Sequence, residues 1–127
     1  MGWDAYAIYP DGKEIVFDRK KNKIKDDKLD AAFAAANEIV VEKVGIVDGL
    51  LRQAGLDCSD CACQLQEHTG VDAWREYPMT PEEVRAAASD LRWDCEPEDD
   101  ETWWAFYSAK MFIKTCAAEG LAVRFSF

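Results

Sequence analysis

The sequence predicts an α+β domain: a small, mostly antiparallel sheet made from an N-terminal hairpin and a C-terminal strand, with three to five helices packed on one face. Three observations predict it. Residues 101–120 form a helical segment dense in aromatics, with Trp103, Trp104, Phe106, Tyr107 and Phe112, and run straight into an alternating strand at 121–127. The chain opens on two strand-like runs joined by a strong turn. Between these ends lies a long apolar stripe at helical spacing.

Taken in order, residues 3–8 alternate Trp3, Ala5 and Ala7 with Asp4, Tyr6 and Ile8, so both faces of this strand carry bulk. Tyr9-Pro10-Asp11-Gly12 supplies a fixed φ at Pro10 and a residue tolerant of positive φ at Gly12, as a tight turn requires. Residues 13–18 then read as the return strand, with Ile15 and Phe17 inward. From Leu29 the period changes. Leu29, Phe33, Ala36, Val40, Val44, Val47, Leu51 and Ala54 fall on one stripe, after Asp26 or Asp27 as cap. Gly45 and Gly49 each cost about 1 kcal/mol inside a helix, so a break near Gly45 is expected, with Gly55 closing the segment.

A further helix is expected over 61–69, stopped by Gly70, and then a loop anchored by Val71, Trp74 and Tyr77. Thr80-Pro81-Glu82-Glu83 spells a helix start: Thr80 caps, Pro81 sits where its missing N–H costs nothing, and Glu83 completes a capping box. Val84, Ala87, Ala88 and Leu91 are the buried stripe of that helix. The last helix is apolar nearly all round apart from Lys110 and Lys114, which places it at the centre of a layer. Val123, Phe125 and Phe127 alternate with Arg124 and Ser126, and a lone strand must pair, which brings the two ends of the chain together. At 127 residues, without an internal repeat or a Gly/Ser linker, the chain reads as one domain, 1–127, able to bury about two-thirds of its unfolded surface.

Charge sets the functional classes. The net charge is −10, from 25 acids and 15 bases. That disfavours a general nucleic-acid binder, since phosphate neutralisation needs clustered Lys and Arg. The bases are nevertheless segregated. Residues 19–28 hold Arg19, Lys20, Lys21, Lys23, Lys25 and Lys28 against Asp26 and Asp27, whereas residues 96–101 hold five acids in six positions just before Trp103 and Trp104. Acids at a helix start suit the helix dipole, but five exceed what capping needs. The expected binding residues are therefore Arg19, Lys20, Lys21 and Lys23 on one side. Asp99, Asp100, Trp103 and Trp104 are expected on the other. The expected partner is a protein or a second copy of the chain.

Chemistry of other kinds is less well supported. Cys58, Cys61 and Cys63, with His68 five residues on, are of the ligand types zinc takes, and the Cys58–Cys61 spacing suits it. Cys61 and Cys63 would have to meet through a turn, because neighbours two apart do not share a helix face. A small zinc protein is thus the alternative to the binding module. A hydrolase is a third reading, resting wholly on the one histidine, His68, which lies in a polar stretch and is expected at the surface. No nucleotide-binding glycine pattern occurs, and no cofactor is required. The opening residues lack a basic start and an apolar core, no run of about twenty apolar residues exists to cross a membrane, and Tyr6 stands where myristoylation would want Ser or Thr. With five cysteines, an odd number, the expectation is free thiols in the cytoplasm.

Overall fold

The computed structural model describes residues 4–45, 49–56, 59–70, 72 and 75–126. Trp3, Val47, Cys58, Val71, Trp74 and Phe127 lie outside them.

The α+β class and the meeting of the two ends are both seen. Strand β1, Asp4–Ile8, is the middle of a three-stranded antiparallel sheet. The chain next forms β2, Phe17–Asp18, and β3, Lys23–Ile24, a separate two-stranded hairpin. Helix α1 spans Asp27–Val44 and is followed by the single turn α2, Gly49–Arg52, and by strand β4, Gly55–Leu56. Helices α3, Ser59–Thr69, and α4, Pro81–Ala88, precede a 3-10 turn at Leu91–Asp94 and another at Asp100–Thr102. Helix α5, Trp103–Ala118, leads into β5, Ala122–Ser126. Strand β5 pairs along all of β1, from Asp4 opposite Ser126 to Ile8 opposite Ala122.

The expected hairpin needs correcting in one respect. The Tyr9–Gly12 turn forms, with the Gly12 N–H donating to the Tyr9 carbonyl at 2.9 Å, and Ile8 bridges Glu14. The return segment goes no further along β1. That edge of β1 is already occupied, by Leu56 opposite Ala5, Gly55 opposite Tyr6, and the Ala54 carbonyl accepting from the Ala7 N–H at 2.9 Å. The third strand of the main sheet is therefore β4, and residues 13–18 turn away to pair with β3. The chain enters β4 through Ala54 at φ 65, so an alanine turns the backbone where Gly55 was expected to do so, and Gly55 is strand.

The expected break near Gly45 is present. Gly45 ends α1 in the left-handed region at φ 73, its N–H donating to the Val41 carbonyl at 2.7 Å. At the other end the Asp26 carboxylate accepts from the Lys28 and Leu29 N–H groups. Helix α4 starts with the full capping box between Thr80 and Glu83. Helix α5 is the hub: Ala105, Phe106, Tyr107, Ala109, Phe112, Ile113 and Cys116 are all buried, and α1, α3 and α4 pack around it. Its lysines do more than reach water. The Lys114 ammonium donates to the Ala88 carbonyl at 3.0 Å, which supplies the C-terminal end of α4 with a cation.

The inner face of the sheet carries Ala5, Ala7, Val123 and Phe125, all buried in the same core as the helices. Its outer face bears Tyr6, Ile8 and Arg124, and residues 14–17 fold across it to leave a cleft of about 220 Å³. Among the described residues no helix is long and apolar enough to cross a membrane.

Candidate functional site

The basic segment folds as a braced hairpin. Phe17 faces Ile24 and Asp18 faces Lys23 across the β2–β3 pair. The Asp18 carboxylate accepts from the Lys20 and Lys21 N–H groups at 3.0 and 3.3 Å, and Asn22 takes the positive φ of 53 that the reversal needs. The base of the hairpin is tied to α1: Asp30 Oδ1 accepts from the Ile24 N–H at 2.9 Å. Tyr9 donates its hydroxyl to the capping carboxylate of Asp26 at 3.0 Å, and its own pKa is raised by burial and by that carboxylate. Lys23, expected as a binding residue, is held by Asp27 within the chain, and each partner stabilises the other's charged form. Arg19, Lys20 and Lys21 are exposed, and among the described residues none of them forms an ion pair.

The acidic segment is anchored by aromatics. Trp103 is partly buried and its indole N–H donates to the Pro97 carbonyl at 3.0 Å, so it fastens the acidic loop to α5. Tyr107 donates to the Glu96 carboxylate, and this bond, together with burial, pushes the phenol up to about 12. Lys43 and Lys110 stand 6.0 and 5.9 Å from the centroid of the same ring. Glu98, Asp99 and Asp100 remain exposed. Trp104 points elsewhere: with Asp60, Cys63, Gln64, Thr102 and Ala105 it lines a cleft of about 230 Å³ between α3 and α5.

The cysteines do not all converge. Cys58 lies outside the described residues. Cys61 is fully buried on the core-facing stripe of α3 with Leu65, while Cys63 is exposed. Two residues along a helix turn the side chain by about 200°, which is why the two thiols face apart. His68 continues the inner stripe and is half-buried rather than at the surface. It stacks on Trp93 at 4.9 Å with planes 16° apart, and meets Phe106 edge-on at 5.1 Å. Its Nδ1–H donates to the Arg92 carbonyl at 3.1 Å. Among the described residues no group of three or more His, Cys, Asp or Glu could hold a metal ion.

The thiols make a direct check of this placement. A maleimide added to the native protein should label Cys63 and Cys95, which are exposed, and spare Cys61 and Cys116 until denaturant is added. Burial pushes the Cys116 thiol well above the ordinary range, which suppresses the reactive thiolate further. Mass mapping of the labelled peptides reads the result; fast labelling of Cys61 in the native state would contradict the inner stripe of α3.

Arg75 carries a structural role that its place in the sequence did not signal, and Asp60, which could be expected only as a helix cap, lines the α3–α5 cleft with Gln64. Arg75 donates bidentately to Glu83 at 2.8 Å, donates also to the Tyr77 and Pro78 carbonyls, and lies 4.3 Å from the centroid of the Tyr77 ring. The available signal for Asp60 and Gln64 was their i, i+4 spacing, which sets both on one side of α3. In comparisons with protein-family models, with curated proteins and with solved structures, none matched this chain.

Proposed function

We propose that this chain is a small protein-binding or accessory module that works through charge-complementary contact rather than catalysis. Self-association, the basic hairpin of one copy against the acidic segment of another, is the leading form. The observation that carries this reading is the hairpin tip. Arg19, Lys20 and Lys21 are three exposed cations without ion pairs among the described residues, on a turn held by Asp18 and braced to α1. A braced tip loses little conformational entropy on docking, which favours recognition over simple solvation. The acidic side is likewise fastened by Trp103 and Tyr107, with Glu98, Asp99 and Asp100 facing outward. Free thiols on the surface fit a reducing compartment such as the cytoplasm.

Sedimentation velocity tests it. At low ionic strength the protein should associate, and at about 0.5 M salt it should dissociate, since exposed charges separated by more than a few ångströms are then screened. Lys20→Glu with Lys21→Glu should weaken association at least tenfold without changing the melting temperature, both side chains being exposed. A wild-type monomer at high concentration and low salt would eliminate the self-association form.

A further inference from the structure

The cleft between α3 and α5 has a composition that the charge segregation alone does not explain. Asp60 and Gln64 line it from one turn of α3, and Thr102 and Trp104 line it from the start of α5. The Gln64 side-chain oxygen is buried and has no hydrogen-bond partner among the described residues. Asn37 Oδ1 and Ser108 Oγ are likewise buried without a partner among the described residues, but of these three residues Gln64 is the one that lines this cleft, where a donor could reach it. Three other groups of the lining suit a positively charged donor, the carboxylate of Asp60, the hydroxyl of Thr102 and the indole of Trp104, while Cys63 and Ala105 complete it. The volume, about 230 Å³, is smaller than the roughly 300 Å³ at which drug-sized ligand pockets begin, and holds one side-chain head with its stem.

We infer that this cleft is a subsite for a single guanidinium or ammonium head, held by Gln64 and Asp60 and covered by Trp104. Both flanking helices point their N-termini towards this side, which by itself favours an anion. Each helix end amounts to about half a positive charge, whereas Asp60 and the acidic run before Trp103 each contribute full negative charges, so the balance is for a cation. For the source of the head the inference rests on the interface reading: Arg19, Lys20 or Lys21 of a second copy supplies it. The chemistry of the cleft stands without that reading.

The test separates the two. Titrating the 15N-labelled protein with n-butylguanidinium and n-butylammonium should produce saturable shifts of the Gln64 side-chain amide and the Trp104 indole N–H. The neutral n-butanol should not. Gln64→Leu and Asp60→Asn should each weaken the cation about tenfold. Gln64→Leu should melt no lower than wild type, because it removes an unpaired buried acceptor, so lost binding cannot be put down to lost folding. Equal shifts with butanol, or cation shifts that neither saturate nor change in Gln64→Leu, would overturn the subsite. A sedimentation run with the guanidinium probe then reads the source. Displacement of an associated form to monomer assigns the head to a second copy; saturable binding by a protein that is monomeric throughout upholds the cleft and overturns self-association.

Discussion

Trp93→Ala should lower the stability of this domain by about 3–5 kcal/mol, enough to consume much of the margin that a chain of this size has. Trp93 heads the fully buried side chains, with no exposed area at all. It sits in the 3-10 turn between α4 and α5, where it stacks on His68 and packs 5.7 Å from Phe106. Its indole N–H donates to the Ala87 carbonyl at 2.8 Å, at the end of α4, where the Asp90 N–H also donates at 3.3 Å. Truncation leaves a cavity at the meeting point of α3, α4 and α5 and removes the shorter of the Ala87 carbonyl's hydrogen bonds, leaving it the Asp90 N–H at 3.3 Å. Trp93→Phe separates the two effects: it keeps a ring in place and should cost about 1–2 kcal/mol, mostly for the lost hydrogen bond and residual space. Urea unfolding of both variants reads the difference. A loss under 1 kcal/mol for Trp93→Ala would mean the three helices do not share this centre.

Acid should weaken the protein through Glu83, and Arg75 should prove the reason. The Arg75 guanidinium and the Thr80 N–H hold the Glu83 carboxyl well below its ordinary 4.5, at about 2. The folded-state pKa is depressed, so the stabilisation is fully present above the unfolded value near 4.5. It is lost as pH falls towards about 2. The Glu83 side chain is 41% exposed, so the full shift overstates the energy, and about 1 kcal/mol is the expected loss across that window. Asp90, drawn down to about 2 by Arg92, titrates over the same range, so the difference between wild type and Glu83→Gln isolates Glu83. Arg75→Ala should cost about 1 kcal/mol at neutral pH. The Arg75 side chain is only 10% exposed, but its partners Glu83, Tyr77 and Pro78 are within reach of water, and Glu83 keeps the Thr80 N–H, so the loss is of the pair and its packing and leaves no buried charge. Chemical denaturation between pH 2 and 7 checks both, and an identical slope in Glu83→Gln would remove this carboxyl from the account.

Much of the architecture could be read from local pattern because local physics dictates it. Thr80, Pro81 and Glu83 specify the start of α4 with no help from the rest of the chain. The alternation of Val123 and Phe125 with Arg124 and Ser126 allows one inward face, and the need of a lone strand for a partner then selects β1. The third strand was not legible. Gly55 and Leu56 look like the end of a helical segment, and only the route of α1 and α2 over the core lays them against Ala5 and Tyr6. The candidate site divides in the same way. The basic run at 19–28 and the acidic run at 96–101 are plain in composition. That Lys23 is neutralised by Asp27, that Trp103 fastens the acidic loop, and that Trp104 and Gln64 line one cleft depend on packing.

By itself, then, the sequence determined the main helices, the first and last strands, their joining and the separation of charge, since each follows from side-chain period, capping chemistry or counting over a few neighbouring residues. Only the tertiary structure decided which edge of β1 each strand takes, which charged groups are already spent on one another, and which polar atoms of the described residues, Gln64 Oε1 among them, are left buried without a partner. Those are set by contacts between residues tens of positions apart: a hydrogen bond or a cleft exists only where two distant segments arrive at the same few ångströms.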